Sequence, residues 1–136
     1  MKDEVVRILR ETKVPQCRLI NRMDDKGESK YRYCAMGILW EELAVKQGLA
    51  HWERVSYPIE GYWVIFESVN ASPTMAWIRS AQVAVDKVPG LKRRIVSRGK
   101  ATVGLSVTIQ YLNDCTRLTF LEIANWIENN VPSEEN

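Results

Sequence analysis

The sequence predicts an α+β fold, a small antiparallel sheet packed against three to four helices in a single domain, residues 1–136. Three observations carry that expectation. Near the C-terminus, Thr119 followed by Glu122 forms a capping box, and Phe120, Ile123, Ala124 and Ile127 repeat at the spacing of one helix face. Over residues 31–48, Ala35, Ile38, Leu39 and Leu43 give a second helical stripe, widened by Trp40 and Val45. Mid-chain, Tyr62-Trp63-Val64-Ile65-Phe66 is aromatic and β-branched throughout, which fits a strand. At 136 residues the chain is long enough for one core without staples. An apolar fraction of 46% with 26% charged residues is that of an ordinary soluble globular protein.

The elements follow in order. Residues 3–12 read as a short helix with Val5, Ile8 and Leu9 on one side and Asp3-Glu4 favouring its N-terminus. Val14-Pro15 stops it. Residues 17–20 read as a short strand, and residues 21–30, rich in Asp, Lys and Gly, as a polar loop or hairpin tip. Gly48 suits the position just past the second helix, where a positive φ costs it little. Gly37, inside that helix, marks a close backbone approach, expected from the C-terminal helix. Residues 49–57 look irregular and residues 58–61 look like a turn. Ser72-Pro73 opens a helix, Ser as N-cap and Pro at N1, expected to run to about Lys87. Residues 94–97 suggest a strand, 98–100 a turn and 101–103 a returning partner. Ser106 opens a further helix. Pro132 blocks extension of the last one.

Charge is unevenly distributed. Residues 1–86 carry 12 basic and 12 acidic side chains and balance. Residues 87–100 carry Lys87, Lys92, Arg93, Arg94, Arg98 and Lys100 with no acid, and the remainder is acidic. The three cysteines, Cys17, Cys34 and Cys115, lack C-x-x-C spacing. A disulfide framework and a zinc site are therefore not expected, and a reducing cytoplasm fits best. No apolar run approaches the roughly 18–20 residues of a membrane span, and Met1-Lys2-Asp3-Glu4 is no signal peptide. No membrane association is expected.

Two blocks carry a resemblance. One is Tyr33-Cys34-Ala35-Met36-Gly37-Ile38-Leu39-Trp40-Glu41-Glu42-Leu43. The other runs from Leu105-Ser106 through Tyr111-Leu112-Asn113-Asp114, then Thr119-Phe120-Leu121-Glu122-Ile123-Ala124-Asn125-Trp126-Ile127-Glu128. Together they resemble a family of small, mostly uncharacterised phage and prophage proteins, with C-x-L-G-x-L heading one helix and L-N-D then F-x-E-I-A-x-x-I-E near the C-terminus. Met36 departs from the family's usual Leu, and Ala35 stands where the pattern often has a second Cys or another small residue. The resemblance implies a viral or mobile-element origin, a compact α+β fold and a host-cell cytoplasm setting. It implies no activity.

Candidate sites divide between chemistry and packing. Cys34, at a helix start, suits a thiolate nucleophile, but a small core residue is the better reading. Asn113-Asp114 reads as a turn and cap, with too few carboxylates for a metal. Gly37, Thr119 and Glu122 read as structural. His51 is the only base for any thiol. The basic segment, Lys87, Lys92, Arg93, Arg94, Arg98 and Lys100, suits phosphates or an acidic partner. Tyr62 and Trp63 point to opposite faces of a strand, so one of them, with Trp52, is an interface candidate.

No nucleophile–base pair, metal spacing, P-loop or dinucleotide fingerprint is evident. The expected function is that of a non-catalytic phage-type binding protein without catalytic residues, metal or cofactor. It would engage a host component as a host-takeover or anti-defence factor, by binding a host protein or by sequestering a nucleotide-type ligand. One alternative is nucleic-acid binding through residues 87–100. A second is a small enzyme using Cys34 or Asp114, and a third is homo-oligomeric pairing of an exposed aromatic strand.

Overall fold

A computed structural model describes residues 1–27, 29–56, 61–67, 72–90 and 102–133. The fold is α+β: a four-stranded antiparallel sheet, a two-stranded sheet and, among the described residues, five α-helices. The helices are α1 Lys2–Glu11, α2 Ala35–Trp40, α3 Pro73–Ser80, α4 Leu105–Asp114 and α5 Phe120–Asn130. The larger sheet orders its strands β2 (Tyr31–Tyr33), β1 (Arg22–Asp24), β4 (Tyr62–Glu67) and β3 (Ala50–Val55). The smaller pairs β5 (Gln82–Ala84) with β6 (Thr102–Gly104). The core lies chiefly among the helices, where Leu9, Leu39, Met75, Ile109, Ile123 and Ile127 are all fully buried.

The last helix forms as its sequence dictates. Thr119 Oγ1 accepts from the Glu122 amide at 3.2 Å, and Glu122 accepts from the Thr119 amide at 3.0 Å. Such a cap stabilises by about 1 kcal/mol. Phe120, Ile123, Ala124 and Ile127 are buried. α1 packs along α5, and Arg10 donates to Asn125 Oδ1 at 3.0 Å across their polar rim. Ser72 caps α3 by accepting from the Met75 amide at 3.1 Å, with Pro73 at its start.

Several expectations are corrected. Residues 17–20 form no strand: Leu19 sits at φ 71° and the Cys17 thiol donates to the Ile20 carbonyl, closing a bend. The strand comes later, at Arg22–Asp24, and pairs with Tyr31–Tyr33 as a hairpin. Residues 31–33 are therefore strand, and the second helix starts at Ala35. It ends in a π-helical turn, Glu41–Val45, before Gly48 at φ 75°. Residues 50–55, expected to be irregular, are the strand β3; Ala50 is buried and the alternate residue His51 exposed, and pairing with β4 supplies the ladder. α3 stops at Ser80 rather than near Lys87. Val83 and Val85 are buried at alternate positions, a strand period, and Ala81 gives its carbonyl to the Leu105 amide. The strand, turn and returning partner expected over residues 94–101 lie outside the described residues, as do residues 58–60 of the expected turn. Thr102–Gly104 does pair, with β5. α4 opens at Leu105 with Gly104, not Ser106, at its N-cap.

Gly37 does mark a close approach, but the neighbour is Asn21, not the C-terminal helix. A Cβ at Gly37 would overlap the Asn21 carbonyl oxygen and carbon. Both atoms are backbone, so neither can rotate away. Gly37→Ala is therefore expected to cost several kcal/mol, on the scale of overpacking and strain. Gly48→Ala has open space and pays only for its positive φ, about 1 kcal/mol. Chemical denaturation of both variants checks the contrast, and equal losses would contradict the close approach.

Candidate functional site

Antiparallel pairing puts Arg22 opposite Tyr33 on one side and Trp63 on the other, so all three project from one face of the sheet. Tyr31 and Trp52 follow on the same face by the two-residue period. The rings close around the guanidinium. Arg22 Cζ lies 3.7 Å from the Tyr31 ring centroid, 4.1 Å from Trp63 and 5.0 Å from Trp52. The Arg22 side chain is only 7% exposed, and its nearest carboxylate, Glu41, is 3.9 Å away. Desolvating a guanidinium costs several kcal/mol, which the cation–π contacts, each worth about 2 kcal/mol or more when desolvated, offset in part. Two donors here lack an acceptor: Arg22 Nε–H and the indole N–H of Trp52 are buried with no hydrogen-bond partner.

Glu41 opens the π-helical turn, a feature frequently found at functional sites. Its carboxylate accepts from the Tyr33 hydroxyl at 3.1 Å. Tyr33 and Glu41 in turn line a groove of about 410 Å³ between α1 and α2. Ile8, Val14 and Ile38 give it an apolar wall, and Arg7, Glu11, Glu42 and Lys46 surround them. Arg7 pairs with Glu11 at 3.2 Å and Lys46 pairs with Glu42. Burial, aided by Glu41, pushes the Tyr33 hydroxyl up to about 12. A pocket with an apolar wall, converging polar groups and a perturbed titratable residue is the default binding-site reading.

The other sequence candidates fall elsewhere. Cys34 is buried and caps α2 through its sulfur, which accepts from the Gly37 amide at 3.3 Å. Burial holds its thiol up at about 11, the reverse of an activated nucleophile. Asn113 and Asp114 form no turn; they end α4. Asn113 accepts from Gln16 Nε2 and the Ala35 amide and donates to the Cys17 carbonyl and Asp114. Asp114 also accepts from the Leu19 amide at 2.9 Å. A smaller cleft of about 210 Å³ brings Cys34, Asp114 and Tyr62 together with Asn21. His51 stacks on Phe66 at 5.7 Å and pairs with Glu53, and it lines neither cavity. Trp63 donates to Asp24 at 2.8 Å. Lys87 is exposed, and its carbonyl accepts from the Trp126 indole. Lys92, Arg93, Arg94, Arg98 and Lys100 lie outside the described residues.

Arg22, Tyr33 and Glu41 were not legible as a group. The one available signal was Tyr31-x-Tyr33 beside Trp63, aromatics sharing a face that needs an occupant. Among the described residues no three His, Cys, Asp or Glu side chains form a metal cluster.

Two predictions follow from the burial. Arg22→Met combined with Glu41→Gln removes both members of a loosely paired buried ion pair while keeping an apolar stem, so thermal melting is expected at an unchanged or higher temperature. A loss above about 3 kcal/mol would make the pair a stability element. The second concerns pH. Unfolded Cys34 and Tyr33 titrate near 9.0 and 10.0, and folded near 11 and 12. Above pH 9 the unfolded state binds fewer protons, so stability is full below that pH and falls as pH rises to 12. Melting curves across that range check it, and a flat profile would contradict the burial. Comparison of the chain with protein families, with curated proteins and with solved structures returns no match.

Proposed function

We propose that the protein is a non-catalytic binding protein that engages a partner through the groove between α1 and α2. The observation that carries the reading is the groove backed by a buried, incompletely paired charge: Glu41 lines it, with Arg22 and its orphaned Nε–H behind. The groups that would carry catalysis have other employment. The Cys34 sulfur caps a helix, and Asp114 holds the Leu19 amide.

The groove's chemistry favours a protein segment over a nucleotide. Arg7, Arg22 and Lys46 are each already paired with a carboxylate, Glu11, Glu41 and Glu42, which leaves little positive field for a phosphate, and the mixed charges around an apolar wall suit a protein segment. The resemblance to phage proteins supports a host protein as the partner and a host-takeover or anti-defence role. The nucleic-acid alternative rests on the acid-free run of cations over residues 87–100, and it predicts binding that weakens steeply with salt.

The test is retention from host lysate on immobilised protein. Glu42→Lys reverses a charge in the groove and is expected to lower the retained partner by roughly tenfold or more. Glu53→Lys, outside the groove, is expected to leave it unchanged. Equal retention by all three proteins, or a retained species that is nucleotide or nucleic acid, would overturn the reading.

A further inference from the structure

The bend at residues 17–21 brings two thiols to one place. Gln16 and Tyr33 form a parallel bridge, and the Cys17 amide donates to the Tyr33 carbonyl at 2.9 Å. The next residue on each side of that bridge is a cysteine. Paired strands lie about 4.8 Å apart, so the bridged residues Gln16 and Tyr33 stand at a spacing that disulfide-linked Cα atoms also take, roughly 4.4–6.8 Å, and each cysteine is one residue further on. Both sulfurs also aim at the same short segment. Cys17 Sγ lies 3.2 Å from the Ile20 carbonyl, and Cys34 Sγ lies 3.3 Å from Asn21 Oδ1. Both thiols are free and buried, whereas Cys115 is exposed. The Cys17 thiol is pushed up by burial and then by the neighbouring Cys34.

We propose that Cys17 and Cys34 are a paired oxidation site, at which a peroxide forms a reversible disulfide that pins residues 17–21 to the first turn of α2. Cys34 borders the 210 Å³ cleft, which gives a small oxidant a route to its sulfur. Burial keeps the Cys34 thiolate a small fraction at neutral pH, so the step is slow there; that thiolate attacks one peroxide oxygen, the O–O bond breaks, and water leaves after taking the thiol's proton. The resulting sulfenic acid is attacked by the Cys17 sulfur. The S–S bond forms, the S–O bond breaks, and a second water carries off the Cys17 proton. The disulfide takes the Cys34 sulfur from the Gly37 amide and reshapes the cleft that Asn21 and Asp114 share.

The experiment uses the full chain carrying Cys115→Ser, treated with hydrogen peroxide and read by intact mass and peptide mapping. A loss of about 2 Da is expected, with a Cys17–Cys34 linked peptide and full reversal by dithiothreitol. The rate is expected to rise about tenfold per pH unit through the neutral range, following the thiolate fraction. With Cys17→Ser added, the same treatment is expected to leave Cys34 carrying oxygen and no link. Oxygen addition to Cys34 in the Cys17-containing protein without a linked peptide would overturn the proposal, and so would two thiols that remain free after treatment.

Discussion

The side chain of Asn113 is the constraint on which the rest depends. Its amide has two acceptor and two donor positions, and all four are used. Gln16 Nε2 donates to it at 2.7 Å and the Ala35 amide at 3.0 Å, while it donates to the Cys17 carbonyl at 2.9 Å and to Asp114 at 2.8 Å. One fully buried residue at the end of α4 thereby fixes the start of α2 and the incoming N-terminal segment. Removing it would leave a buried amide and a buried carbonyl unpaired, at about 1–3 kcal/mol each. That is a large share of the roughly 5–15 kcal/mol by which a domain is stable. The segment that opens α2 and the segment that ends α4 meet at this residue, which ties the two helices together. Gly37 belongs to the same device, because only a hydrogen there lets the Asn21 carbonyl come close enough for the segment to seat.

Arg22 is the opposite kind of buried polar group. Asn113 is fully satisfied and specifies structure; Arg22 is enclosed by rings, loosely paired and short of an acceptor. A sequence selected only for stability would fill that position with an apolar side chain. Local violations of this kind concentrate at functional sites. The π-helical turn that brings Glu41 to the groove is a second such violation, in the same place. Their coincidence supports the binding role, and it links the sheet face to the α1–α2 groove through Tyr33.

Local chemistry was legible in the sequence, and non-local pairing was not. The capping box at Thr119 and Glu122, the Ser72-Pro73 start, the strand at residues 62–66 and the positive φ of Gly48 each depend on neighbours within a few positions. The end of α3 depends on pairing with residues some twenty positions away, and the helical pattern of Ala81, Val85 and Val88 masked it. β3 was hidden because His51, Glu53 and Arg54 make an edge strand look like a loop. Asn113-Asp114 carries turn chemistry, yet its side chains are drawn into tertiary hydrogen bonds that let the helix continue through them. Arg22 was unreadable for the same reason: nothing within its own segment distinguishes it from the exposed arginines, and its rings arrive from three other strands.

The most direct test of the account is amide hydrogen exchange at Ala35 in the protein and in Asn113→Ala. Strong protection is expected in the parent chain. In the variant, exchange at Ala35 and Cys34 is expected to be faster by orders of magnitude, with α5 amides less affected. Equal protection at Ala35 in both proteins would contradict the central role given to Asn113.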